Sequence, residues 1–196
     1  MIRTMVLLLL SFSAIAGEDV LDNPFIHVTR DGTACPPTGN SICGDRVIVA
    51  LDVLELTINT EQHRLSRGDI AIVHAIDVFE QPAGPFFEIM IKPGHPRALS
   101  PAEQIAPDKN AFLHDGEDYF VFEEKLAPGD TRARHSHSQR LVIQLNRTRL
   151  QQLPDGEAEK IVETVPDKPN FSLPVVHVVK NIGEVPLRGI IVEFKP

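Results

Sequence analysis

The sequence predicts an all-β fold made of many short strands. Its apolar residues occur in short runs rich in β-branched side chains, separated by turn residues, and the 196 residues include 16 prolines and 12 glycines. This pattern is typical of a β-sandwich or β-barrel. No helix longer than two turns is expected; the most helix-like stretch covers residues 100–105, where a serine and a proline precede helix-forming residues. We predict strands at residues 47–58, 69–76, 86–91, 119–125, 131–145, 160–165, 175–179 and 189–194.

The composition is that of a folded globular protein and argues against two classes of partner. Apolar residues make up 42% of the chain and charged residues 23%, as in ordinary soluble domains. Acidic side chains number 27 against 19 lysines and arginines, which gives a formal net charge of -8. Because the chain has no overall basic field, binding to nucleic acid or to an anionic membrane surface is not expected.

The first 16 residues have the pattern of a secretory signal peptide. Arg3 precedes an apolar run at residues 5–10, and the small residues Ala14 and Ala16 occupy the two positions that a signal peptidase reads. The run is shorter than the roughly 20 residues needed to span a bilayer. We therefore predict a secreted or periplasmic protein that does not insert into the membrane after signal cleavage. A buried N-terminal helix is the alternative.

Cys35 and Cys43 are the two cysteines of the chain, and they flank a segment that contains proline and glycine. In an oxidising compartment they are expected to close this loop as a disulfide. In the loop-entropy model such a ring stabilises the fold by roughly 2–3 kcal/mol. Two free thiols are the alternative.

A proline-rich segment divides the mature chain into two parts that resemble each other weakly. Residues 94–117 are predicted to be a linker that wraps a surface, because they hold three prolines and few β-branched side chains. Unless the likeness is chance, the chain contains two related β units, at residues 25–93 and 118–196. The parallel stretches are residues 46–51 with 140–145, and residues 73–93 with 176–196 without a gap.

Two of the eight histidines lie on one face of the predicted strand at residues 131–145. Alternate residues of a strand share a face, so His135 and His137 are expected to point to the same side. The other odd-numbered positions are largely apolar, whereas the even-numbered positions carry every arginine of the strand. The two imidazoles are therefore predicted to point inward together, where neutral imidazoles can bind one transition-metal ion.

His177 lies within an uninterrupted apolar run, Val-Val-His-Val-Val, at residues 175–179. A strand that is apolar on both faces is expected inside a sandwich or barrel. A buried histidine needs a polar partner. That partner can be a metal shared with His135 and His137, a backbone carbonyl or a water.

These residues carry a resemblance to a known family. Gly129-x5-His135-x-His137, followed by His177-x3-Asn181, resembles the two signature motifs of the cupin superfamily over residues 119–196. The resemblance implies a double-stranded β-helix, or jelly-roll barrel. With the weak repeat, it implies a secreted bicupin-like protein whose first unit is degenerate. In metal-binding members the counterparts of the three histidines hold a divalent metal such as Zn, Fe, Mn, Ni or Cu, and Asn181 would be a turn residue. The resemblance also implies a homodimer, because outer strands of such barrels often pair between subunits.

The sequence departs from the family pattern at the fourth ligand. In the family, a glutamate usually follows the second histidine of the motif after three or four intervening residues. Counted from His137, those positions hold Leu141 and Val142 in this chain. If the strand keeps its alternation, Gln139 faces inward and its amide oxygen can replace the carboxylate. If a bulge rotates the chain, Arg140 faces inward instead, and its charge at about 6 Å from a divalent ion costs roughly 5 kcal/mol at an effective dielectric near 20. A bound metal and a metal-free polar interior are both open alternatives.

The first unit lacks most of this site. Aligned by the repeat, Ser41 and Cys43 stand where the second unit has His135 and His137, and only His74 repeats a histidine, namely His177. We predict that the first unit is structural and that His74 is a buried, hydrogen-bonded core residue.

Two functional hypotheses follow from the sequence. In the first, a metal on His135, His137 and His177, with Gln139 as a further ligand, acts as a Lewis acid or oxygen activator in an exported enzyme for small molecules. In the second, the barrel is a non-catalytic module that binds a small ligand or has a structural role without metal. A third reading treats the motif match as chance and predicts imidazoles that do not converge.

Overall fold

The computed structural model describes residues 17–35 and 43–196, so the predicted signal peptide, residues 1–16, lies outside the described residues. The described residues form 17 β-strands in four sheets and contain no helix. The prediction of an all-β fold is confirmed. Within these two ranges, no helix has the length and apolar character needed to cross a bilayer.

Residues 18–91 supply the first two sheets. Their strands are β1 (Glu18–Asp22), β2 (Ile26–Arg30), β3 (Arg46–Ala50), β4 (Leu54–Ile58), β5 (Glu61–Leu65), β6 (Ile70–Val73), β7 (Phe79–Ala83) and β8 (Phe86–Ile91). Sheet I has the order β1-β2-β8-β3-β6, and sheet II has the order β5-β4-β7. All neighbouring strands are antiparallel.

Residues 110–194 supply the other two sheets, again with antiparallel neighbours. Their strands are β9 (Asn110–Asp115), β10 (Tyr119–Leu126), β11 (Thr131–His137), β12 (Arg140–Gln144), β13 (Arg149–Pro154), β14 (Lys160–Glu163), β15 (Asn170–Ser172), β16 (Val175–Asn181) and β17 (Leu187–Phe194). Sheet III has the order β15-β12-β17-β10-β9, and sheet IV has the order β11-β16-β13-β14.

One hydrophobic core joins the two halves of the chain. It packs side chains of sheet I against side chains of sheet III, among them Val47, Val49 and Ile89 against Leu141, Ile143 and Val192. The opposite faces of these strands are also buried, as in β3, where all five residues are shielded from solvent. Burial on both faces explains why these strands read as continuous apolar runs rather than as alternating patterns.

Strand register supports the internal repeat in part. Arg46 of β3 lies opposite Met90 of β8, and Arg140 of β12 lies opposite Glu193 of β17, as the alignment of the two halves requires. The next four residue pairs of each ladder correspond in the same way. The gapless alignment fails farther back, because it matches the end of β6 to β16 of sheet IV, whereas the strand that pairs with β12 as β6 pairs with β3 is β15.

Four local predictions differ from the structure. The predicted strands at residues 47–58 and 131–145 are each two strands in different sheets. Residues 110–115, expected to be linker, form β9 and pair with β10. Residues 100–105 are irregular and not helical. The backbone of this last stretch bonds to the barrel instead of to itself, since Ile105 exchanges hydrogen bonds with Ser136.

Cys35 and Cys43 form a disulfide, with their Cα atoms 5.8 Å apart, as predicted. The bond closes a loop immediately before β3. The seven residues inside the loop lie outside the described ranges.

Candidate metal centre

The two sequence motifs lie side by side because their outer residues bond to each other. Gly129 adopts a left-handed backbone conformation, with φ of 81°, in the turn that leads into β11. Its amide donates to the carbonyl of Asn181, 2.8 Å away, and the amide of Asn181 donates back to Asp130 at 2.9 Å. The start of β11 is thereby fixed against the end of β16, which brings the histidines of the two strands together.

A β-bulge in β11 sets the direction of the first histidine. Two residues separate Arg132 from His135, whereas only one residue of β16 separates their partners Val179 and His177. The extra residue turns both Arg132 and His135 toward the interior, where both are fully buried. The expectation that every arginine of this strand faces outward is therefore wrong for Arg132.

His135, His137 and His177, here called the histidine trio, converge inside the second half of the chain. All three are buried, and one ring nitrogen from each lies within 4.8 Å of the others. The Nε2 atoms of His135 and His177 are 3.2 Å apart. Two nitrogens bound to one ion at about 2.0–2.1 Å lie about 2.9–3.4 Å apart, so this spacing fits a shared metal. The reading in which the three imidazoles do not converge is wrong.

Hydrogen bonds at the opposite ring nitrogens orient two members of the trio. Nδ1 of His135 donates to the carbonyl of Ala133 at 2.8 Å, which leaves its Nε2 lone pair directed toward His177. Nδ1 of His137 lies 2.7 Å from Oε2 of Glu193. Metal-binding histidines commonly bond through their second nitrogen to a carbonyl or a carboxylate in this way.

The surroundings keep the trio uncharged. Burial is the main cause that lowers the pKa of His135 to about 4 and that of His177 to about 3, and it also lowers the pKa of His137. The positive charge of Arg140 acts in the same direction on all three imidazoles. At neutral pH the trio therefore offers neutral nitrogen donors, the form that binds Zn, Cu, Ni or Fe.

The two residues considered for the fourth ligand position take different places. β11 ends at His137, and the chain turns at Ser138 and Gln139 before β12 begins. Oε1 of Gln139 accepts a hydrogen bond from the amide of Leu99 at 2.8 Å, so this oxygen is already engaged away from the trio. Arg140 instead lines the cavity beside the trio. The structure thus follows the alternative in which the chain rotates and Arg140 faces inward.

The rotation also reverses the face of the following residues. Val142 and Gln144 line the cavity together with Arg140, whereas Leu141 and Ile143 pack into the core between sheets I and III. A single uninterrupted strand would have placed these two sets the other way round.

A cavity of about 400 Å³ adjoins the trio inside the barrel of sheets III and IV. His137 and His177 form part of its wall. The apolar part of the wall consists of Val142, Leu150, Val162, Val165, Val179 and Ile191, and the polar part includes Gln144, Gln152, Thr164, Asn170 and Ser172. The cavity is large enough for a small organic molecule.

Two buried acidic residues near the trio were not identified as site residues from the sequence. Glu193 accepts hydrogen bonds from His137 and from the amide of Ser138, each at 2.7 Å. Burial raises the pKa of Glu193 to about 7. Glu124 lines the cavity and lies 2.6 Å from the guanidinium of Arg132. The sequence does carry a signal for Glu193, since it is the one charged residue in the otherwise apolar stretch 189–194.

The first half of the chain has no comparable centre among its described residues. The space between sheets I and II is filled by a second apolar cluster that includes Ile48, Leu54, Leu56 and Phe86. His74 is exposed beyond the end of β6 and lies 3.4 Å from Asp45. The prediction of His74 as a buried core histidine is wrong, because β6 ends at the buried Val73 and His74 lies in the exposed segment that follows.

Comparisons with known proteins identify the fold. No protein-family model matches the sequence, and no curated protein matches it either. Among solved structures, the chain is similar to a cupin 2 conserved barrel domain protein from Leptotrichia buccalis, with a TM-score of 0.56 and 15% identity over 96% of this chain and 93% of that one. It is also similar to a salicylate 1,2-dioxygenase from Pseudaminobacter salicylatoxidans, with a TM-score of 0.53 and 10% identity over 90% of this chain and 76% of that one. Together with the barrel that encloses the trio, these likenesses show that the chain has the fold of the cupin superfamily.

Proposed function

We propose that the histidine trio binds one divalent transition metal and that the adjoining cavity admits a small molecule to it. The observation that carries this proposal is the convergence of three buried, neutral imidazoles, two of which are oriented by hydrogen bonds at Nδ1. Three nitrogen donors suit the borderline ions, Zn or Cu first, and also Fe, Ni or Mn in the presence of further oxygen ligands.

A metal held in this way would supply Lewis-acid or oxygen-activating chemistry to a molecule in the cavity. The residues of the chain have separate tasks. Glu193 and the carbonyl of Ala133 hold the imidazole rings in position. The apolar wall would shield one side of a ligand from water. The fold leaves the reaction undetermined, because cupins are one of the folds on which sites of different chemistry are built.

Metal analysis tests the proposal directly. Protein purified without a histidine tag is expected to retain about one equivalent of metal, or to take it up on reconstitution with Zn, Fe, Mn, Ni or Cu. The variants His135→Ala and His137→Ala should lose it. His74→Ala is the matched control, because this exposed histidine lies outside the trio. Wild-type protein that binds none of the five ions, or trio variants that bind them as tightly as wild type, would refute the proposal.

We also propose that the protein is exported and that residues 25–93 form a structural β unit beside the site-bearing unit at residues 118–196. The disulfide between Cys35 and Cys43 supports an oxidising compartment. The shared register of β3 with β8 and of β12 with β17 supports two related units. Mass spectrometry of the protein from its native compartment should find a mature chain that begins at Gly17. A chain that retains Met1 would contradict export through this signal.

A second function is a non-catalytic binding module without metal. One observation favours it: the positive side chain of Arg140 faces the cavity where the family pattern has an anionic ligand. If metal is absent under all reconstitution conditions and both trio variants fold with unchanged stability, this second function replaces the first.

A further inference from the structure

Arg140 is a buried cation without an ion-pair partner among the described residues. It is 8% exposed, and no carboxylate of those residues lies within 4.0 Å of its guanidinium. Its Nη1 atom donates to the carbonyls of Ser138 and Leu173, at 3.2 and 3.0 Å. Nε and Nη2 of Arg140 have no hydrogen-bond acceptor among the residues that the structure describes. The side chain lines the cavity. Burying a charge without a close partner is costly, and an anionic ligand in the cavity would lower that cost.

Two acidic groups, Glu193 and Glu124, act on Arg140 from beyond ion-pair distance, and both bond to other residues. Glu124 lies 2.6 Å from Arg132. Both oxygens of Glu193 accept hydrogen bonds, one from His137 and one from Ser138. Neither carboxylate is available to neutralise Arg140 at close range. A ligand anion in the cavity would supply the close counter-charge that these two residues do not.

We propose that the cavity binds a small carboxylate-bearing molecule, that Arg140 holds its carboxylate, and that this anion and the metal bind cooperatively. The inference rests on the proposed metal site. A guanidinium presents its donors in a planar fork that matches a carboxylate. The body of the molecule would lie against the apolar wall formed by Val142, Leu150, Val179 and Ile191.

The cooperativity follows from the charges. Without an anion, the trio contributes no negative charge, and Arg140 repels an incoming divalent ion. A carboxylate on Arg140 cancels that repulsion and adds an oxygen that can reach the metal. Each ligand then strengthens the binding of the other by the same factor, as linkage requires.

The test uses tagless protein freed of metal by a chelator, with Zn²⁺ as the metal unless another ion is found in the purified protein. Metal affinity is measured by titration calorimetry, alone and with acetate, benzoate or succinate. Each acid is compared with its neutral amide: acetamide, benzamide or succinamide. At least one acid is expected to tighten metal binding tenfold or more, and the amides are expected to leave it within twofold.

Variants locate the effect. Arg140→Gln should bind metal more tightly than wild type in the absence of acid and should lose the response to acid. Arg140→Lys should keep part of that response. Arg147→Gln is the matched control, because this arginine is mostly exposed and pairs with Glu163, and it should respond as wild type does. If Arg140→Gln does not fold, the lysine variant and the comparison of acids with amides decide.

The outcomes separate the two proposals. Metal that binds to the trio with no advantage of acid over amide, or an undiminished response in Arg140→Gln, overturns the anion inference alone. Absence of metal binding with and without acids overturns the proposed metal site, and the cooperativity with it. Metal binding that appears only in the presence of an acid supports both.

Discussion

Replacing Glu193 by glutamine should weaken metal binding without removing any metal ligand. In the structure, Oε2 of Glu193 lies 2.7 Å from Nδ1 of His137, and Oε1 lies 2.7 Å from the amide nitrogen of Ser138. Both contacts are buried. Glutamine fills nearly the same volume, but it has only one oxygen, so its NH₂ group must face one of the two N–H donors. Glu193→Gln is therefore a small change in shape and a large change in hydrogen bonding.

The size of the effect follows from that mismatch. A buried donor left without an acceptor costs about 1–3 kcal/mol, which should appear as lost stability of the metal-free protein. His137 also loses the carboxyl group that orients its ring and supports its basicity. Changes at such supporting residues typically reduce metal affinity about 10–100-fold, or about 1.4–2.7 kcal/mol. We expect the loss of affinity in Glu193→Gln to fall in this range.

The assay combines a metal titration with urea unfolding of the metal-free protein. Glu123→Gln is the control, because Glu123 is similarly buried on the neighbouring strand but pairs with Arg188 and Lys125 instead of a histidine. It should lose stability and keep the metal affinity of wild type. Equal metal affinity in Glu193→Gln and wild type would refute the idea that this carboxylate orients His137.

Three further predictions concern stability. The metal-free protein should lose at least about 2 kcal/mol of unfolding free energy between pH 7 and pH 4.5. Burial lowers the pKa values of the trio, to about 4 for His135 and about 3 for His177. Below pH 6.5 the unfolded chain therefore binds more protons at these histidines than the folded chain does. Glu193 offsets part of this loss, because burial raises its pKa to about 7 and the folded chain therefore binds this proton at a higher pH than the unfolded chain does. Urea unfolding that gives equal stability at the two pH values would contradict the prediction. Replacing Cys35 and Cys43 together by serine should cost about 2–3 kcal/mol in the same assay, and reduced wild-type protein should show the same loss. Asn181→Ala should lower the unfolding free energy by about 3 kcal/mol or more, because the buried side chain makes four hydrogen bonds. A loss below about 1 kcal/mol would show that water replaces these bonds.

The trio could be predicted from the sequence because its geometry depends on short-range spacing. His135 and His137 are two residues apart on one strand, and the turn residues Gly129 and Asn181 lie a few positions from the histidines they help to align. The all-β fold was accessible for a similar reason, since strand runs and their turns are local patterns. Only the β-bulge between Arg132 and His135, which leaves Arg132 facing inward together with the histidines, has no local signature.

The orientation of Gln139 and Arg140 could not be predicted, because it depends on distant residues. The amide of Ser138 is held by Glu193, 55 positions away, and the backbone and side chain of Gln139 bond to Leu99, 40 positions away. These contacts end β11 and rotate the chain by one residue. Strand alternation alone favoured Gln139 as the inward residue, and nothing within residues 131–145 distinguishes the two outcomes.

The two halves of the chain place arginines at corresponding register positions in different electrostatic surroundings. Arg46 and Arg140 occupy corresponding positions in the register of β3 with β8 and of β12 with β17. Arg46 lies 3.8 Å from Glu88 and over the ring of Phe79, at 5.0 Å from its centroid, so its charge is met within the protein. Arg140 has neither an acidic partner at that range nor a filled interior, and it borders a cavity that also contacts the trio. The difference between the halves is therefore the distance of the counter-charge: the first half places a carboxylate within 4 Å of its arginine, whereas Glu193 and Glu124 act on Arg140 from farther away, which is the basis of the proposed anion site.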